Sequence, residues 1–157
     1  MTHKISINDP NLASNFKTLN FAWLEKYFVI EPIDEHVLSH PEEMIEQGGH
    51  VLYLENADSV IGCCALKHHG AGVFELTKMA VTEKQQGHGW GKILMNACIK
   101  QFESVKGESL YLETNSSLKP AIKLYEKYGF VAKSCPFDTP YQRADYYMEW
   151  QGLQVKE

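Results

Sequence analysis

Between Val73 and Phe102 the chain changes its hydrophobic period, and it does so across a run of glycines. Val73–Val81 reads as a strand, whereas Trp90, Ile93, Leu94, Ala97, Cys98 and Phe102 fall on one face of a helix. Between them stand Gln86-Gly87-His88-Gly89, with Gly91 and Lys92 just inside the helix. A strand that runs through a glycine turn straight into an amphipathic helix points to an α/β fold. It also leaves the first N–H groups of the helix turned toward the loop. Such groups attract an anion, and glycine removes the side chains that would keep it away.

Two common phosphate loops fail here. A Walker A loop needs glycine at 86 and Ser or Thr at 93, where Gln86 and Ile93 stand. A dinucleotide fingerprint on Gly87 and Gly89 needs a third glycine at 92, which is Lys92.

The flanking pattern completes an α/β reading. His3–Asn8 alternates as a first strand, and Phe16, Leu19, Trp23 and Tyr27 form the stripe of a helix, with Trp23 and Tyr27 expected in the core. Pro32 is read as an interruption, and a short helix with Met44 and Ile45 follows Pro41 and ends at Gly48-Gly49. Strands over His50–Glu55, Val60–Lys67 and Val73–Val81 are separated by the turns Asn56-Ala57-Asp58 and Gly70-Ala71-Gly72. After the long helix come a strand at Ser109–Glu113 and a helix carrying Leu118, Ala121, Ile122 and Tyr125, closed by Gly129. Strands at Phe130–Lys133 and Ala144–Trp150 end the order β α α β β β α β α β β, one domain over residues 1–157.

Composition narrows the function. A net charge of −5 argues against nucleic acid as a partner, and no run of about 18 apolar residues offers a membrane span. The start lacks the apolar stretch of a secretory signal. Four cysteines, two of them the adjacent Cys63 and Cys64, make neither a disulfide framework nor a metal clamp, so a reducing cytoplasm is expected and no metal. His68 and His69 face opposite ways on a strand and likewise suggest no metal. Between Tyr27 and Leu66 there are acids, from Glu31 and Asp34 to Asp58, but no Lys or Arg. The one arginine, Arg143, is read as the partner of a nearby acid or as a clamp for a substrate carboxylate.

The segment Gln86-Gly87-His88-Gly89-Trp90-Gly91 has the form Gln-x-x-Gly-x-Gly and resembles the GCN5-related N-acetyltransferase (GNAT) superfamily. Phe74–Val81 looks like that family's fourth strand, and Leu112-Glu113-Thr114-Asn115 followed by Ala121–Phe130 looks like its second signature. Together these cover roughly residues 50–150. The resemblance implies a mixed, mostly antiparallel sheet of six to seven strands flanked by about four helices. It implies acetyl-CoA as co-substrate, its pyrophosphate on the amides of Gln86, Gly87, His88, Gly89, Trp90 and Gly91, with Lys92 nearby. The pantetheine arm is then expected along Met79, Ala80 and Val81 of the fourth strand, with Asn115 on its other side; Asn115 as a turn residue is the competing reading. Tyr125 is expected to donate a proton to the departing sulfur, and Glu75 to take one from the acceptor, with Glu113 in reserve.

The acceptor is expected to be a primary amine of a small molecule, transferred to directly. A protein or peptide N-acetyltransferase and a non-catalytic acyl-CoA-binding module are the alternatives. Many members of the family pair, which leaves a homodimer open.

Overall fold

Two tight turns build the first sheet pairs. Ala57 and Asp58 adopt φ values of 51° and 69°, and Gly70, Ala71 and Gly72 lie at 94°, 54° and 77°. The left-handed backbone matches the twist of hairpin strands. These turns join β2 (His50–Asn56), β3 (Ser59–His68) and β4 (Val73–Val81). Ahead of them come β1 (His3–Ile7), α1 (Ala13–Tyr27), α2 (Pro32–Ser39) and α3 (Pro41–Glu46). Behind them come α4 (Trp90–Ser104), β5 (Ser109–Thr114), α5 (Lys119–Lys127), β6 (Phe130–Lys133) and β7 (Tyr146–Trp150). A computed structural model describes residues 3–83 and 87–152. Among them no helix is long and apolar enough to cross a membrane.

The strands form one seven-stranded sheet in the order β1-β2-β3-β4-β5-β7-β6. All neighbours are antiparallel except β4 and β5, which α4 connects as a crossover. The expected mixed sheet is therefore present, with five α-helices among the described residues where about four were expected. The extra one is α2. Pro32 starts this helix and does not interrupt one, because proline suits the first turn, where its missing N–H needs no partner. Asp34 accepts a hydrogen bond from the Glu31 N–H at 2.9 Å, closing that end.

Helices cover both faces of the sheet. Leu94, Met95, Cys98 and Phe102 of α4 pack on Leu52, Leu54, Leu66 and Leu76. Phe16 and Leu24 of α1, Leu38 of α2 and Met44 of α3 pack on Val51, Tyr53 and Ala65 of the opposite face. Buried positions on α1 run Phe16, Asn20, Leu24. Tyr27, expected in the core, is 44% exposed. It stands in the last turn of the helix, against the Trp23 ring at 5.4 Å and beneath Lys26.

A bulge in β4 decides where the site lies. Cys63 pairs with Ala80 but Ala65 pairs with Thr77, so β4 carries one extra residue, and Lys78 takes a left-handed φ of 58°. Phe74 and Leu76 face the α4 core, yet Ala80 faces the α1 core, because the bulge reverses the alternation. The buried amide of Asn20 holds this kink, donating to the carbonyl of Lys78 at 3.2 Å and of Phe16 at 3.0 Å.

Candidate active site

Strands β4 and β5 pair only at Val73, Phe74 and Glu75 against Ser109, Leu110 and Tyr111. Beyond Glu75 they part, and a cleft of about 420 Å³ opens between them. That lies within the usual 300–1,000 Å³ of a ligand site. Leu76 to Val81 form one wall; Leu112 to Asn115 and, from α5, Ala121, Leu124 and Tyr125 form the other.

At the wide end the cleft meets the glycine turn. Gly87, Gly89, Trp90 and Gly91 line it, whereas His88 and Lys92 are exposed and do not. Gln86 lies outside the described residues. Gly89 caps α4 at φ 81°, and among the described residues no side chain caps that helix start. A Cβ at Gly87 or Gly89 would meet nothing within 4 Å, so the turn fronts open space into which the helix N-terminus points. The turn and the parted strands suit an anion joined to a long, slender arm, as acetyl-CoA is. Met79, Ala80 and Val81 lie along that space.

Tyr125 stands on the α5 wall, edge-on to Phe130 at 6.1 Å between ring centres. Burial, with the neighbouring Cys64, pushes its phenol up to about 12, so it stays protonated throughout the neutral range. Asn115 lines the cleft but its side chain is committed to the turn: Nδ2 donates to the Arg143 carbonyl at 2.7 Å, and Oδ1 accepts from the Ser117 N–H at 2.9 Å.

Glu75 sits where the strands part and is 6% exposed. Its Oε1 is 2.9 Å from His69 Nε2 and 3.4 Å from the Tyr111 hydroxyl. Glu113 lines the cleft two residues past Tyr111. Burial raises its carboxyl and the charge of Glu75 raises it further, while a hydrogen bond with Thr139 opposes both. The histidines separate as expected: His68 stacks on Phe74 at 4.6 Å, and His69 turns to Glu75.

A cluster absent from the sequence reading closes the side of the cleft. Asp34, fully buried, accepts from Lys78 Nζ at 2.8 Å and from both Arg143 nitrogens at 2.7 and 2.8 Å. Glu31 adds a contact to Arg143 at 3.2 Å. Arg143 thus takes the structural role, though with acids far away in sequence; Asp145, its near neighbour, binds Ser116 instead. Burial alone would raise the Asp34 carboxyl, but Arg143 and Lys78 hold it down at about 2. Burial in turn lowers the Lys78 ammonium, against the pull of Asp34. The Tyr141 ring lies 4.4 Å from Lys78 Nζ and 4.7 Å from the Arg143 guanidinium, and lines the cleft with Trp23 and Phe28. One signal in the sequence was available: Lys78 interrupts the apolar set Phe74, Leu76, Ala80.

Known proteins resemble this chain in sequence and in fold. The sequence profile of the acetyltransferase (GNAT) family matches residues 16–130. A mycothiol acetyltransferase of Actinosynnema mirum is 28% identical over 97 residues, covering 62% of this chain and 33% of that protein. The chain thus spans part of the length of that relative. A GNAT-family acetyltransferase structure from Staphylococcus aureus Mu50 superposes with a TM-score of 0.84 at 16% identity, over 95% of this chain and 98% of that one. The yncA protein of Salmonella typhimurium, whose structure holds acetyl-CoA, superposes with a TM-score of 0.75 at 18% identity, over 100% and 97% of the two chains. With its profile match over most of its length and a sheet that opens between β4 and β5 onto a glycine turn, the chain belongs to the acetyltransferase (GNAT) family.

Proposed function

We propose that this chain moves the acetyl group of acetyl-CoA directly onto the primary amine of a small molecule. The observation that carries the reading is the cleft between the parted strands, with the glycine turn and the start of α4 at one end and buried Glu75 at the other. In this reading the amides of Gly87, Gly89, Trp90 and Gly91 receive the pyrophosphate, joined by Gln86 and His88, with Lys92 close by. The pantetheine arm runs along Met79, Ala80 and Val81 and past Asn115, adding an extended segment to an open strand edge.

An ammonium has no lone pair, so Glu75 takes its proton before the nitrogen attacks the thioester carbon. The tetrahedral intermediate then expels the CoA thiolate. A phenol at about 12 facing a thiol of about 8.5 makes full proton transfer uphill by about 5 kcal/mol. Tyr125 therefore acts chiefly as a hydrogen-bond donor to the departing sulfur, with the proton following as the new amide nitrogen loses its own. Trp23, Phe28 and Tyr141 line the cleft on what this reading takes as the acceptor side, and such an aromatic lining favours a compact acceptor over a polypeptide. A cytoplasmic location, from four free cysteines, belongs to the same reading.

The test begins with thermal unfolding in the presence of acetyl-CoA and of desulfo-CoA. Ligand at about 100 times its Kd stabilises by about 2.7 kcal/mol. CoA release is then measured with spermidine, tyramine, histamine, glucosamine and a lysine-containing peptide. A shift with turnover of a small amine supports the reading. Turnover of the peptide alone favours a protein acetyltransferase, and binding without turnover a non-catalytic module.

A further inference from the structure

We propose that His69 carries the acceptor's proton from Glu75 to solvent. This rests on Glu75 as the base and adds the step that resets it. Each turnover converts an ammonium and a thioester into an amide, a thiol and one free proton. That proton lands on a carboxylate whose side chain is only 8% exposed and that faces the substrate cleft, which bound reactants fill. Glu75 needs an outlet on its other side.

His69 is placed as that outlet. Its side chain is 33% exposed, and its Nε2 lies 2.9 Å from Glu75 Oε1, while the imidazole itself does not line the cleft. An imidazole accepts a proton at one nitrogen and releases one from the other. Here the proton passes from Glu75 Oε1 to Nε2, and the one on Nδ1 leaves to water. The backbone N–H of His69 donates to the Val73 carbonyl at 2.8 Å, which anchors the residue at the turn joining β3 and β4.

Tyr111 keeps the pair aligned. Its hydroxyl is 3.0 Å from His69 Nε2 and 3.4 Å from Glu75 Oε1, and its ring lies 5.6 Å from the imidazole. Burial raises its phenol far above the neutral range, so it positions the two groups without titrating. The titratable groups facing His69 among the described residues are Glu75 from β4, Tyr111 from β5 and, at longer range, the Glu113 charge from β5.

The experiment compares wild type, His69→Gln and Glu75→Gln, using acetyl-CoA and the best amine of the panel above, as buffer concentration is raised. His69→Gln keeps a hydrogen bond to Glu75 but cannot relay a proton. In dilute buffer its kcat should fall about tenfold or more, with KM for acetyl-CoA within about twofold of wild type. Added imidazole buffer should restore most of the loss, while wild type stays insensitive to it. A kcat within about twofold of wild type overturns the proposal, and so does a loss that buffer leaves untouched, since that marks a purely positional role. If Glu75→Gln collapses while His69→Gln does not, only the relay fails; if Glu75→Gln is fully active, the base assignment fails and takes the relay with it.

Discussion

Replacing Asp34 by asparagine keeps the size of the side chain and removes the charge on which two cations converge. In the wild type this carboxylate receives Lys78 at 2.8 Å, Arg143 at 2.7 and 2.8 Å, and the Glu31 N–H at 2.9 Å. The side chains of Lys78 and Arg143 are only 4% and 18% exposed, so water cannot take over. Removing one partner of a buried ion pair costs about 3–5 kcal/mol, chiefly the burden of the stranded charge. For a chain of this length that lowers Tm by about 6–20 °C. Burial already presses the Lys78 ammonium downward, so Lys78 can shed its proton in the variant, which places the loss toward the lower end. Urea unfolding followed by tryptophan fluorescence measures it as a shift in midpoint at constant slope. Asp34→Asn combined with Lys78→Met should lose less than the sum of the single changes, because the second removes the charge that the first strands. The pH dependence carries a sign of its own. A carboxyl held at about 2 when folded contributes stability above its unfolded value of about 3.9, and loses it as pH falls through that interval. The gap between wild type and Asp34→Asn should therefore narrow between about pH 4 and pH 2, by about 2.6 kcal/mol. A loss below about 1 kcal/mol at neutral pH, the worth of an exposed pair, would refute the reasoning.

Other outcomes follow from the site. Tyr125→Phe should reduce kcat by about a hundredfold while acetyl-CoA affinity, read by calorimetry, stays within about twofold. With the phenol held up to about 12, the wild type should show no alkaline loss from this residue below about pH 11. Gly89→Ala forces a Cβ onto a φ of 81°, at a stability cost of about 1–2 kcal/mol, and should also weaken acetyl-CoA binding. A stability loss with affinity unchanged would reduce the glycine turn to a helix cap. Thiol titration of the native protein should find Cys135 alone, since Cys63, Cys64 and Cys98 are buried, and unfolding should expose all four.

What the sequence disclosed was local. The bounds of β4 and the start of α4 follow from a change of period across glycines, and the element order followed from turns and stripes. Pro32 misled because proline both stops helices and starts them, and only its downstream neighbours tell which. The ion cluster stayed hidden because Asp34 and Arg143 lie 109 residues apart and meet only once the loop before β7 folds against α2. A run of acids without bases reads as a solvated face until the fold brings the bases to it. Glu75 was legible as a strand residue facing away from Phe74 and Leu76, but its partners His69 and Tyr111 depend on strand register, which no local pattern encodes.

An open strand edge is normally a hazard, since any other strand can pair with it and begin aggregation. Between Leu76 and Ala80 this protein presents such an edge toward β5, inside a sheet and not at its rim. Leu112 on β5 and Leu124 and Tyr125 on α5 stand across the gap. What guards the edge is therefore the far wall of the cleft, and amides along this stretch of β4 should gain protection from hydrogen exchange when an extended amide ligand pairs with them.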